Sequence, residues 1–274
     1  TAHLDEVHEQ SPYRIVEEAS GIFGEDEHGK MMGIGADDKN GLWIIINLLH
    51  ELPVLKVALF VEEEKKGDLA GCRGSSFCSL HHFDNVLYVL AVDRKGSSEI
   101  VINGKGDVKL CDASFPPAHL LQQYEYECVD GGKTDVVELK MRGLSVPCCN
   151  ISCGYYNPHT DYETTSISDL EKCWELVKHI LSLPKTYPHT YTPPTATVAA
   201  KNHPKIKTPF KTKSGDPHIP LVCQEGLVIQ RAISTVVFPT NLMNIWLDMY
   251  KSIPSISFVR FTEIFTETYE RHHK

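Results

Sequence analysis

Five short stretches of the chain each set a side chain able to ligate a metal beside the end of an apolar run. They are Ala2-His3-Leu4-Asp5, Gly35-Ala36-Asp37-Asp38-Lys39, Glu62-Glu63-Glu64, Val92-Asp93-Arg94 and Asn157-Pro158-His159-Thr160-Asp161. Neutral imidazoles and carboxylates are ligands that divalent cations such as zinc take. Singly, each stretch has an ordinary explanation: a surface histidine, or a solvated run of glutamates. Their order sets them apart. It reads His, Asp, Glu, Asp, His, each at the end of a different apolar segment, and separate strand ends in an open α/β sheet converge on one crevice.

The elements that must carry these residues follow from the pattern between them. Asn40 to Leu52 reads as a helix apolar almost all round, and Val54 to Val61 as a strand buried on both faces. Val86–Val92 repeats the buried-strand signature, Glu99–Asn103 reads as a shorter partner, and Val136–Met141 and Val146–Ser152 supply two more. Cys72–His82 and Ala118–Cys128 have helix-compatible spacing. Ser168 with Glu171 makes a capping box for a helix whose stripe is Leu170, Cys173, Trp174, Val177, Ile180 and Leu181. Strands alternating with helices predict a three-layer α/β/α sandwich around a mostly parallel sheet, with its site at the carboxyl ends of the strands. From 184 to 220 the composition turns to Pro, Lys and Thr, which reads as an extended linker. Residues 221–274 are left as a small C-terminal helical segment of unassigned role, with short amphipathic helices expected at Asn241–Lys251 and Phe258–His272.

Taken together, the five stretches resemble the dinuclear-zinc metallopeptidases that include peptidase T, the glutamate carboxypeptidases and related aminopeptidases. The likeness runs over roughly Thr1 to Leu183, expected as one catalytic domain. Residue by residue, it implies that His3, Asp37 and Asp93 hold one zinc and that Asp37, Glu64 and His159 hold the other, with Asp37 bridging. Cobalt or manganese suit the same ligands. The resemblance further implies Glu63 as general base and acid, Asp5 as the carboxylate that orients the His3 ring, and a cis peptide at Asp37-Asp38. Spacing after the glutamates departs from the family pattern through an insertion at Lys65–Ala70, which leaves Glu62/Glu63 as a second register. In the family, core strands precede the His-x-Asp element, so they are expected to be missing ahead of Thr1. The interval from Asp93 to His159 is too short for the lid or dimerisation domain that some members insert. The activity implied is hydrolysis of an amide bond in short peptides, of aminopeptidase or di/tripeptidase type. A non-catalytic binding module and an N-acyl amino acid deacylase are the alternatives.

Composition narrows the remaining classes. A net charge of −9 argues against a protein that coats nucleic acid. The longest apolar run, Leu42 to Leu49, is too short to span a bilayer. The first residues lack a secretory pattern, so the expected setting is cytoplasmic. Nine cysteines lie mostly within apolar segments, as reduced core residues do, and Cys148-Cys149 with Cys153 is read as packing rather than as a thiolate site. Gly104-Lys105-Gly106 reads as a turn, and Ser75-Ser76 lacks a nucleophile-elbow pattern. Arg73, Arg94 and Arg142 are candidates for a substrate-carboxylate clamp, each with ordinary surface exposure as the simpler explanation.

Overall fold

Strand ends and the loops beside them bring the candidate site residues to one end of a layered α/β domain. The computed structural model describes residues 1–19, 21–52, 55–64, 71–183 and 187, together with the backbone of three strands between 222 and 238. In chain order the strands are β1 (Ala2–His3), β2 (Arg14–Glu18), β3 (Gly21–Glu25), β4 (Met31–Met32), β5 (Leu55–Phe60), β6 (Val89–Arg94), β7 (Glu99–Gly104), β8 (Val108–Lys109), β9 (Glu127–Asp130), β10 (Cys148–Ser152), β11 (Tyr155–Tyr156), β12 (Thr164–Thr165), β13 (Val222–Cys223), β14 (Gly226–Arg231) and β15 (Ser234–Phe238). The helices are α1 (Ala36–Glu51), α2 (Arg73–Phe77), α3 (Ala118–Gln123), α4 (Asp135–Met141) and α5 (Ile167–Leu181).

One ladder runs β1-β5-β15-β14-β13 and another β6-β10-β7-β8, with β9 beside β7. The first residues join them. The Thr1 carbonyl accepts from Val92 N at 3.1 Å, and the Thr1 amino group donates to the Leu90 carbonyl, a parallel pattern that seats β1 between β5 and β6. β10, β6, β1, β5 and β15 are therefore parallel, whereas β7–β8 and β13–β14 form antiparallel flanks. The sheet is mixed, with a parallel centre.

Period-two alternation explains the layers. Val57 and Leu59 of β5, Leu90 and Val92 of β6, and Cys149 and Ile151 of β10 pack with α1, α3 and α5. Ala58 and Phe60, Val89 and Ala91, and Cys148 pack on the opposite face with Val136, Val137 and Leu139 of α4. A smaller antiparallel sheet, β11-β12-β3-β2 with β4 on β3, stands beside the end of the domain that carries the site.

Five expectations need correcting. Val136–Met141 is helix α4, not a strand. It is buried nearly all round, and a short buried apolar run does not betray its period. Ala118–Cys128 divides into α3 and then the start of β9, and Cys72–His82 into α2 and a 3-10 turn at Leu80–Phe83, because Cys78 and Ser79 take extended conformations. Helix α5 is capped by Ser166, whose side chain accepts from Asp169 N at 3.4 Å, two residues ahead of the expected Ser168. Within the supposed helical segment 221–274, β13, β14 and β15 are strands, and β15 lies parallel to β5. The linker other than Tyr187, and the helices expected at 241–251 and 258–272, fall outside the described residues. No helix among the described residues is long and apolar enough to cross a membrane.

Candidate metal centre

The candidate side chains sit at the ends of parallel strands, at the start of a helix and in one loop of the smaller sheet. His3 closes β1 and is in register with Phe60, the last residue of β5, so Glu63 and Glu64 follow just beyond it. Asp93 lies near the end of β6, which flanks β1 on the other side. Asp37 stands in the turn that opens α1. It and Asp38 have non-helical backbone angles, and the peptide between them is cis. His159 lies in the loop joining β11 to β12.

These five positions come together as two triads that share Asp37. His3 Nε2 is 3.0 Å from Asp37 Oδ1 and 3.5 Å from Asp93 Oδ1. His159 Nε2 is 3.2 Å from Asp37 Oδ2 and 2.7 Å from Glu64 Oε1. Within each triad the candidate ligand atoms all lie within 4.8 Å of one another, and Glu63 forms a third such group with His3 and Glu64. Tetrahedral zinc with ligands at about 2.0–2.2 Å holds them about 3.3–3.6 Å apart, so the spacing suits one cation per triad.

The donor chemistry agrees. His3 Nδ1 is 2.9 Å from the Asp5 backbone carbonyl, which can only accept, so Nδ1 carries a proton. In the neutral ring Nε2 then offers a lone pair, and it faces two carboxylate oxygens. Such an arrangement needs a positive charge between them, either a proton on the ring or a cation. The titration shifts record the same demand. Burial pulls the His3 pKa down, but Asp93 and Asp37 raise it well above the usual histidine value. Hydrogen bonding to Asp37, against an opposing pull from burial, raises His159 to about 9. Burial, reinforced by Asp93, holds Glu63 up to about 9. Asp93 is raised to about 6 by burial, against the pull of His3. Asp38 is raised by burial and by Asp93, while burial of Asp37 is outweighed by its two histidines, which lower it. Acid outnumbers base at this end of the sheet.

Asp5 meets the His3 ring through its backbone as well as its carboxylate. β1 ends at His3, so Asp5 lies beyond the strand, and its backbone carbonyl makes the closer contact to the His3 ring, with Oδ1 at 3.6 Å. Its carboxylate also accepts from Glu63 N at 3.0 Å and Glu64 N at 2.9 Å, which fixes the turn carrying both glutamates. Glu62 points away and pairs with Arg73 at 3.1 Å, so the geometry groups Glu63 and Glu64 rather than Glu62 with the triads.

The three arginines are also engaged elsewhere. Arg73 meets Glu62, Arg94 donates to Glu99 at 2.8 Å, and Arg142 donates to the carbonyls of Ser75 and Cys78. The eight described cysteines are free thiols, all but Cys128 buried, and no thiolate joins a metal-capable group among the described residues.

Several residues that sequence reasoning passed over hold the site in place. Asn150 accepts from Asp93 N at 3.1 Å and donates to Asp93 O at 2.8 Å. Asp38 accepts from His3 N and Gly41 N. Buried Asn40 donates to Cys153 O at 2.7 Å and accepts from Thr165 Oγ1 at 2.8 Å, tying the start of α1 to β12. Polar residues inside otherwise apolar strands and helices were the available signal, since a buried amide needs partners.

Comparison with known proteins finds a fold likeness and little else. No family model matches the chain, and no curated protein does. Among solved structures, aminopeptidase PepT from Bacillus cereus superposes with a TM-score of 0.50 at 15% identity, over 65% of this chain and 78% of that one. This protein thus shares the fold of an aminopeptidase.

Proposed function

We propose that the chain is a metal-dependent peptidase that hydrolyses an amide bond in short peptides and releases the N-terminal residue. The observation that carries this reading is the pair of histidine–carboxylate triads sharing Asp37, with Glu63 beside them. His3, Asp37 and Asp93 would hold one divalent cation, and Asp37, Glu64 and His159 the other. Zinc is the first choice, with cobalt or manganese as substitutes. When bound, two such ions supply Lewis acidity toward a carbonyl and lower the pKa of water.

The rest of the chemistry belongs to the chain. Glu63, half-buried beside both triads, would be ionised by the positive charge of the cations and is then the group to take a proton from an attacking water and return it to the departing amine. Asp5 holds the Glu63–Glu64 turn through two backbone N–H groups, so the base and the neighbouring ligand keep their separation. Asp38 and Asn150 do the same for His3 and Asp93.

Substrate polarity follows from the surroundings. Residues between Asp93 and His159 build β7 to β11, α3 and α4, with no separate domain inserted among them. Acidic side chains dominate the cleft and the three arginines are occupied elsewhere, so an ammonium terminus is matched better than a carboxylate terminus. Free thiols suit a reducing, cytoplasmic setting.

The test is to strip the protein with chelator, titrate it with Zn²⁺ or Co²⁺, and assay tripeptides with free and with acetylated amino termini. About two equivalents bound, with cleavage of the free peptides alone, is expected. Failure to bind metal, or cleavage confined to acetylated substrates, overturns the reading.

A further inference from the structure

Glu163 follows His159 in the same loop, is fully buried, and ends in no solvent. Its Oε2 accepts from Gly35 N at 2.6 Å and its Oε1 from Asp37 N at 3.2 Å, so both oxygens grip the backbone of the turn that carries Asp37. His8 Nε2 closes on Oε2 at 3.2 Å from the other side. A carboxylate that accepts two backbone N–H groups and an imidazole has its acceptor capacity used and its rotamer locked.

Two glycines make the grip sterically possible. A β-carbon on Gly33 would lie 2.0 Å from His8 Cε1, and one on Gly35, whose φ is +63°, would lie 1.7 Å from Glu6 Oε2. Glu6 in turn takes the Lys39 ammonium at 2.9 Å, and Lys39 Nζ also donates to the Ile34 carbonyl at 2.5 Å. The Gly33-Ile34-Gly35 stretch is therefore clasped by side chains from the segment after β1 and from the loop after β11. The first of those segments follows directly on His3, and the second contains His159.

We infer that Glu163 is a positioning residue, backed by His8, which holds the Gly35–Asp37 turn so that the two carboxylate oxygens of Asp37 face His3 and His159 at once. The site is thereby coupled through one buried carboxylate: the loop that presents His159 also aims the aspartate shared by both triads. Its functional consequence rests on the metal reading above, while its geometry stands on the metal-free fold.

Two measurements separate the two. In metal-free protein, amide hydrogen exchange at Gly35 and Asp37 should accelerate at least about tenfold in Glu163→Gln and further in Glu163→Ala, with the amides of α5 unchanged. Should Glu163→Ala fail to fold, Glu163→Gln, of equal volume, carries the test. Co²⁺ affinity should fall about 10–100-fold at both sites together, with a changed d–d spectrum. Leu176→Ala, a buried core change in α5, should lower the melting temperature without altering Co²⁺ affinity or spectrum. Unchanged exchange at Gly35 and Asp37 overturns the positioning role whatever the metal does. Lack of Co²⁺ uptake by the wild-type protein overturns the metal reading and leaves the exchange result to decide the rest.

Discussion

At the scale of single residues, the proposed base and the proposed ligands make separable demands. Glu63→Gln removes the proton acceptor but keeps size and backbone, so turnover should drop about 10²–10⁴-fold while metal content stays unchanged. Undiminished turnover contradicts the base assignment. His159→Ala should cost one metal equivalent and Asp37→Ala both, because only Asp37 belongs to both triads. Elemental analysis distinguishes the two. A pH effect belongs here too. The Glu163 carboxylate raises the His8 pKa, against a smaller opposing pull from burial. A raised folded-state value means the stabilisation is complete below the unfolded value of about 6.5 and is lost as pH rises through the folded value. The melting temperature of the wild type minus that of His8→Gln should therefore shrink with rising pH across that window. A difference indifferent to pH contradicts the contact.

Elements decide whether those residues meet. Helix α1 begins inside the site, and Asn40 fastens its first turn to Cys153 and Thr165. Asn40→Ala strands buried partners at about 1–3 kcal/mol each, which at roughly 2–4 °C per kcal/mol a thermal melt resolves. A loss no larger than that of an exposed substitution would show that α1 is held by packing alone. At the other side of β5, β15 pairs in parallel with Val236 opposite Val57. Val236→Pro withdraws a backbone donor from the ladder and should destabilise the domain by about 3 kcal/mol. Some elements were legible beforehand: α1, β5, β6, β7, β10 and α5 all have apolar runs long enough, or periodic enough, to declare their type. α4 was not, since its buried surface runs nearly all round, and neither were β2 and β3, whose hairpin has few apolar residues. The place of β15 in the sheet was hidden because its parallel partner, β5, lies far away in sequence.

The whole molecule concentrates acid at one end of a parallel sheet, and that imbalance should tie stability to bound cations. Chelation of loaded protein is expected to lower the melting temperature by several degrees, since a ligand at 100 times its dissociation constant contributes about 2.7 kcal/mol per site. An identical melt with and without chelator would show that no cation balances these carboxylates in the folded state. The fold is shared with an aminopeptidase at 15% identity, a level at which topology persists while side-chain roles have to be argued position by position.

The order of chemistry-bearing residues and the apolar segments beside them are local properties, so the sequence alone was enough to anticipate the α/β architecture and to nominate His3, Asp37, the Glu62–Glu64 run, Asp93 and His159, while the choice of Glu63 and Glu64 within that run rested on a family resemblance. It could not tell which atoms face which. That Asp5 grips the backbone of Glu63 and Glu64, that Glu62 turns toward Arg73, and that Glu163 locks the Asp37 turn all depend on contacts between segments far apart in the chain. A carboxylate has the same composition whether it binds a metal, a backbone amide or an arginine. Only the packing that brings a partner within about 3 Å of its oxygens selects among them.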